Sequence, residues 1–179
     1  MIPVKHTGRL MMAALSWLAG SFALAGDLDD YAADLRKKFP DVRTISTEEL
    51  AGIGISSPPL LLDAREENEF AVSHLPGAVR VEKDSAVQLS RLGVTKDRPI
   101  VVYCSVGYRS AVLARALQKE GFTNVRNLEG SIFAWANEGR PLVDADGPAP
   151  GVHPFNILWG RYLEKSKWRW KPIGASPRD

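Results

Sequence analysis

Residues 99–114 read PIVVYCSVGYRSAVLA: a short apolar run, a thiol, a small loop with one glycine, and an arginine that opens a helical pattern. The run Ile100-Val-Val-Tyr103 has no polar break, as expected for a strand of a parallel sheet covered on both faces. Beyond the loop, Val112, Leu113, Ala116 and Leu117 fall on one helical face, with Arg115, Gln118 and Lys119 opposite. Cys104 is the only cysteine in 179 residues, and it stands at the strand-to-helix turn. A catalytic thiol reacts as its thiolate and needs positive potential nearby. Converging backbone N–H groups at a helix N-terminus, with an arginine beside them, supply that potential and bind anions. Lone cysteines are also among the most buried residues and often act as small hydrophobes. The placement of Cys104 beside Gly107 and Arg109 favours chemistry over that simpler role.

Outward from this stretch, strand and helix signals alternate. Residues 27–39 read as a short amphipathic helix stopped by Pro40, and residues 42–45 as a brief strand. Ser46-Thr-Glu-Glu49 is a capping box opening a helix that ends near Gly52 or Gly54. Ser56-Ser-Pro-Pro59 is a turn, Leu60-Leu-Leu62 a buried strand ending at Asp63, and residues 66–70 a helical turn. His74-Leu-Pro-Gly77 makes a tight loop before a strand at 78–81; a helix at 85–92 closes at Gly93. Residues 124–128 predict a strand and 131–137 a helix. The order argues an α/β fold, a parallel sheet with helices on both faces. Ligand sites in such sheets gather at the carboxyl ends of the strands, where Asp63 and Cys104 both fall, so the two are candidate neighbours in space.

Composition fits one globular domain with additions: 45% of residues are hydrophobic and 25% charged, enough to bury a proper core. Residues 1–25 hold Lys5 and Arg9 and no acid, so they account for the net charge of +2 and the remainder is formally neutral. That balance excludes nucleic acid as an expected partner. The same 25 residues read as an export signal: a basic start, an uncharged apolar run over 10–25, and Ala23-Leu-Ala25 as an A-x-A cleavage pattern. The run is shorter than the roughly 20 residues of a membrane span. An exported, periplasmic protein is expected, in a compartment where paired cysteines become disulfides and Cys104 has no partner in its own chain.

Several ordered matches identify the region from about Ile45 to Val143 as similar to the rhodanese-like family, in which an active cysteine carries sulfur as a persulfide. Leu60-Leu-Leu-Asp63-Ala-Arg65 resembles its first signature, a strand ending in Asp-x-Arg. Glu69-Phe70 followed by His74-Leu-Pro-Gly-Ala78 resembles its second block. Val102-Tyr-Cys104-Ser-Val-Gly107-Tyr-Arg109-Ser110 resembles the active loop of single-domain members. Gly121-Phe122 and Val125-Arg-Asn-Leu128-Glu-Gly130-Ser-Ile-Phe-Ala-Trp135 resemble the closing strand and helix. The resemblance implies a rhodanese-like parallel sheet flanked by helices and sulfane-sulfur transfer from a small sulfur donor such as thiosulfate to a thiol or cyanide. It divides the chain into an export signal (1–25), an N-terminal extension (26–44), the domain (45–143), and a linker with a C-terminal extension (144–179).

Cys104 is then the expected catalytic nucleophile. Ser105, Val106, Gly107, Tyr108 and Arg109 form the substrate-binding loop, whose N–H groups would stabilise a terminal sulfur as an oxyanion hole stabilises an alkoxide. Asp63, Arg65 and Ser110 support it, with Asp63 capping a turn and Arg65 in an ion pair. Val106 and Tyr108 would tune acceptor choice, and His74 fixes its loop through hydrogen bonds. Related phosphatases use a longer Cys-x5-Arg loop, and the four residues between Cys104 and Arg109 favour sulfur transfer over phosphate-ester or arsenate chemistry. A non-catalytic binding module on the same fold stays open. No cofactor is expected, and no His, Cys, Asp and Glu cluster has metal-ligand spacing. Residues 144–151 read as a Pro/Gly linker. Beyond it, Phe155, Ile157, Leu158, Trp159, Tyr162 and Leu163, with Trp168 and Trp170 among Lys167, Arg169 and Lys171, form an aromatic and basic extension. It is expected to pack back on the domain and pair with the acidic residues 27–34, or else to dock a protein partner or an anionic membrane.

Overall fold

The computed structural model describes residues 25–53, 58–81 and 85–172. The export segment through Leu24, Gly54, and the Ser56-Ser57 half of the expected turn lie outside these residues. The element order is α1 (Ala25–Lys38), β1 (Thr44–Ile45), α2 (Thr47–Gly52), β2 (Leu60–Asp63), α3 (Glu67–Val72), β3 (Val79–Arg80), α4 (Ser85–Arg91), β4 (Ile100–Tyr103), α5 (Tyr108–Lys119), β5 (Val125–Leu128), α6 (Ser131–Asn137), a hairpin of β6 (Val143–Asp144) and β7 (Gly147–Pro148), and α7 (Ile157–Gly160), followed by a 3-10 turn at Lys165–Lys167.

Strands β1 to β5 form one sheet in the order β1-β5-β4-β2-β3, and every pairing is parallel. This is the expected α/β architecture. Strand β4 lies in the middle and is buried throughout, because its side chains enter two cores. Val101 and Tyr103 join Ile45, Leu128, Ile132 and Phe133 on one face. Ile100 and Val102 join Leu62, Ala111, Ala114 and Leu117 on the other. A parallel strand covered on both faces has no solvent side to carry polar residues, which explains the unbroken Ile-Val-Val-Tyr run. The register sets Asp63 of β2 opposite Tyr103 of β4, so Asp63 and Cys104 both fall at the carboxyl edge of the sheet.

Helix α5 turns a different face to the sheet than its large apolar residues indicate. The buried stripe is Ser110, Ala111, Ala114 and Leu117, while Val112 is 47% exposed. Small side chains let the helix lie close over β4 and β5, and this proximity outweighs the hydrophobicity of Val112.

The C-terminal extension is part of the core. Val152, Tyr162 and Leu163 are buried in the cluster that also holds Val101 and Ile132. Val152 donates its N–H to Lys167 O (2.8 Å) and accepts at its carbonyl from Arg169 N (3.0 Å), a one-residue β-bridge. Asn137 at the end of α6 clasps the segment twice, donating from Nδ2 to Tyr162 O (2.9 Å) and accepting the Glu164 N–H at Oδ1 (3.0 Å). Gly160 is required by close approach: a Cβ there would stand 2.6 Å from Trp168 Cζ2. Against the N-terminal helix the contact is aromatic. Tyr31 packs on Trp159 and Tyr162 with ring centroids 5.5 and 5.6 Å apart, while Asp34 takes Lys37 of its own helix. The expected linker contains the β6–β7 hairpin. It is closed by Asp144 Oδ1, which accepts from the N–H groups of Asp146 and Gly147, and is tied to the domain by His74 and Val143, each donating N–H to the other's carbonyl.

Burying Val152 and Leu163 stabilises by roughly 1.5–3 kcal/mol each. Truncation after Pro150 should therefore lower the melting temperature by about 10 °C or leave the protein insoluble. Calorimetry on the truncated chain checks this, and an unchanged melting curve would show that the extension packs without stabilising.

Candidate active site

Strand β4 delivers Cys104 to the edge of the sheet, and the loop that follows is held from three sides. The Cys104 N–H donates to Ser131 Oγ at 3.2 Å. The carbonyls of Cys104 and Ser105 accept the N–H groups of Ile132 and Phe133, both at 3.1 Å. These two donors belong to the first turn of α6, where N–H groups have no partner within the helix. Asn127 at the end of β5 donates from Nδ2 to the Gly107 carbonyl at 3.1 Å. Gly107 caps α5 at φ +108°, and a Cβ there would also meet Leu35 Cδ1 at 3.2 Å. In this conformation, open to glycine and costly to other residues, the Gly107 N–H points at the thiol and donates to Cys104 Sγ at 3.2 Å. Ser131 itself sits at φ +53°, a rare position for a residue with a side chain.

Arg109 does not stand alone beside the thiol. It makes a two-pronged bond with Glu69 of α3, Nη1 to Oε2 at 2.7 Å and Nη2 to Oε1 at 2.8 Å. Its Nη2 also donates to Ser105 Oγ at 3.0 Å, and the Ser105 hydroxyl donates to Glu69 Oε1 at 3.1 Å. The three side chains form a closed ring of charge-assisted hydrogen bonds. Burial by itself would push the Glu69 carboxyl up, but the Arg109 hydrogen bonds and charge win and hold it below the usual carboxylate value. Burial likewise works against the Arg109 cation, and its bonds to Glu69 more than offset that and raise it.

Asp63 and Arg65 form a second, fully buried pair. Asp63 Oδ1 accepts from Arg65 N (2.9 Å) and Nε (3.0 Å), Oδ2 from Nη2 (2.6 Å), and Nη2 also donates to the Ser73 carbonyl (2.6 Å). The carboxylate closes a tight turn and the guanidinium ties the end of β2 to the end of α3. His74 also holds its own loop: Nδ1 lies 3.1 Å from the Phe70 carbonyl, and the ring stacks on Phe70 with centroids 3.9 Å apart.

The remaining loop residues divide. Ser105 is engaged by Glu69 and Arg109. Val106 is buried in the core beside Leu28 and Leu128, so its orientation is fixed by packing and does not follow the loop. Tyr108 is exposed, edge-on to Phe39 with Lys38 Nζ 4.8 Å from its ring centre. Ser110 is buried in the α5 stripe facing the sheet. Cys104 is 1% exposed. The cleft that reaches it is about 150 Å³, lined by Ser105, Val106, Tyr108 and Arg109 of the loop and by Phe155 and Trp159 of the extension. Among the described residues, no group of three His, Cys, Asp or Glu side chains is placed to hold a metal ion.

Glu69, Ser131 and Asn127 went without an assigned role in the sequence, as did the aromatic wall of Phe155 and Trp159. Glu69 had a signal: an arginine in the first turn of a helix, beside the helix's positive end, is helped by a carboxylate, and Glu69 stands in a block of the sequence that otherwise carries structural residues. The others meet the loop only through tertiary contacts.

The family model described as a rhodanese-like domain matches residues 46–138. A "Sulfurtransferase" of Allochromatium vinosum is 35% identical over 88 residues, 49% of this chain and 81% of that protein. The "Probable adenylyltransferase/sulfurtransferase MoeZ" of Mycobacterium tuberculosis is 37% identical over 84 residues, 45% of this chain but only 21% of that longer protein. Among solved structures, the thiosulfate sulfurtransferase of Pseudomonas aeruginosa superposes with a TM-score of 0.55 at 19% identity, covering 75% of this chain and 26% of that one, a likeness of fold.

Glu69→Gln should keep the shape of the ring but remove its charge. Because the Glu69 carboxyl is held down in the folded protein, its stabilisation is present above the unfolded value of about 4.3 and is lost as pH falls through the lowered folded one. Urea unfolding should separate wild type from Glu69→Gln at pH 6, and the gap should narrow at pH 3. A gap that is the same at both pH values would remove the ion pair from the loop's support.

Gly107→Ala should fold but carry a strained loop, so that the N–H no longer meets Sγ. Alkylation of Cys104 by iodoacetamide at fixed pH should change rate at least several-fold, and an unchanged rate would show that the loop tolerates a side chain.

Proposed function

The chain belongs to the rhodanese-like domain family, and from that premise we propose that it is a sulfurtransferase carrying sulfane sulfur on Cys104 as a persulfide. The observation that carries this reading is the Gly107 N–H aimed at Cys104 Sγ across a loop clamped by Arg109 and Glu69. A fixed donor at the sulfur favours an anion there without reorganisation during the reaction. In the loading half-reaction the Cys104 thiolate attacks the outer sulfur of a donor such as thiosulfate. The Sγ–S bond forms, the S–S bond of the donor breaks, and sulfite leaves with that electron pair. In the second half-reaction a nucleophile, cyanide in an assay or a thiol in the cell, removes the outer sulfur and returns the thiolate, a ping-pong sequence.

Arg109 would position the loop and add positive potential, while Asp63 and Arg65 hold the neighbouring strand end. The burial of Cys104 favours a second reading, a non-catalytic binding module, and the same experiment separates the two. The basic start and apolar run of residues 1–25 support an exported, periplasmic location as part of this proposal.

Incubation of the purified protein with thiosulfate should add one sulfur, about 32 Da, by mass spectrometry, and cyanide should remove it. Cys104→Ala should show neither the adduct nor thiocyanate formation. A wild-type protein that takes up no sulfur would favour the binding module; an alanine variant that turns over at the wild-type rate would place the nucleophile elsewhere.

A further inference from the structure

The cleft over Cys104 is built in part by residues outside the 46–138 match, and their character is apolar. Phe155 leans over Arg109, its ring centre 4.9 Å from the guanidinium carbon. Trp159 closes the adjoining side and is braced from behind by Tyr31 and Tyr162. Phe155 holds a backbone position that residues with side chains avoid, φ +64°. Two contacts keep it there: its N–H donates to Nδ1 of the buried His153 at 3.1 Å, and the following Asn156 N–H returns to the Pro154 carbonyl at 2.8 Å. Backbone strain of this kind persists where the surroundings over-determine it, often beside a site. The ring is nevertheless 41% exposed, so the strain is not offset by burying it. What the conformation achieves is an aromatic face at the mouth of the cleft.

The charge in the cleft points the same way. Among the described residues, Arg109 is the cation that lines it, and the Glu69 carboxylate, bonded to both Nη1 and Nη2, offsets part of its charge. A volume of about 150 Å³ is room for about five waters held against Val106, Phe155 and Trp159, and such waters are displaced favourably by an apolar group.

We propose that the second substrate of Cys104 is an organic thiol with a compact apolar or aromatic body, bound in a subsite formed by Phe155 and Trp159. This rests on the persulfide reading of Cys104. The thiol sulfur attacks the outer sulfur of the Cys104 persulfide anion. The new S–S bond joins the two, the Sγ–S bond breaks with its electron pair returning to Sγ, and the thiol proton ends on the transferred sulfur as an organic hydropersulfide. Phe155 and Trp159 set specificity and leave the transfer chemistry to the loop.

The test uses the full chain loaded with one sulfur by thiosulfate and discharged in single turnovers by benzyl mercaptan, by the anionic 2-mercaptoethanesulfonate and by cyanide. Each thiol rate is corrected for its thiolate fraction and scaled to cyanide. Benzyl mercaptan should exceed 2-mercaptoethanesulfonate about tenfold, equivalent to about 1.4 kcal/mol. Phe155→Ala and the milder Trp159→Phe should each bring that ratio toward one, with the melting curve recorded for both. A ratio near one in the wild type, or a preference unchanged in both variants, overturns the subsite while persulfide transfer stands. A protein that loads no sulfur overturns the persulfide reading and the subsite with it.

Discussion

A carboxylate as deeply buried as that of Glu69 needs a counter-charge within hydrogen-bond reach, and Arg109 supplies it with both prongs. Removing Arg109 would leave the Glu69 charge alone in the interior, which costs about 3–5 kcal/mol. The pair spans 40 residues of sequence and joins α3 to the first turn of α5. The pair holds the Arg109 end of the loop that starts at Cys104. Ser105 fits into the ring of bonds because its hydroxyl can accept from Arg109 and donate to Glu69 at once. Helix α3 is held for the purpose at its start: Glu69 also returns a carboxylate oxygen to the Glu66 N–H, and Asp63 with Arg65 fixes the turn just before it.

Once the clamp fixes the Arg109 end of the loop, the strain falls on a few backbone positions. Gly107 absorbs it without a side chain. Ser131 carries it with one, and its hydroxyl is what receives the Cys104 N–H. These positions lie on opposite sides of the thiol, on the loop and on the α6 turn behind it. The loop carbonyls are tied to α6 and its N–H at Gly107 is left facing Sγ, a division that gives the sulfur a donor and directs the acceptors away from it.

The extension couples stability to the mouth of the site. Val152 and Leu163 anchor it in the core, Asn137 clasps it to α6, and Phe155 and Trp159 come forward from those anchors to wall the cleft. Ile157 and Leu158 on the same short helix stay 76% and 65% exposed, so its apolar composition divides between an inner wall and an outward face. A segment that reads as a single aromatic stretch therefore does two physical jobs.

The sequence by itself determined the sheet and the position of the thiol. An unbroken apolar strand, the capping box at Ser46 and a glycine between Cys104 and Arg109 are local signals, and local backbone chemistry enforces each of them. The sequence assigned Asp63 a turn and Arg65 an ion pair without naming its partner, and the structure pairs the two with each other. The α5 stripe was misread because hydrophobicity favours Val112, whereas close packing on a sheet favours Ala111 and Ala114. Only the tertiary structure decided that Arg109 answers to Glu69, that Ser131 supports Cys104, and that Phe155 and Trp159 stand over the cleft. Those contacts join residues 27 to 55 positions apart, and a buried charge or an aromatic wall takes its partner from whatever the fold brings near, which no spacing along the chain records.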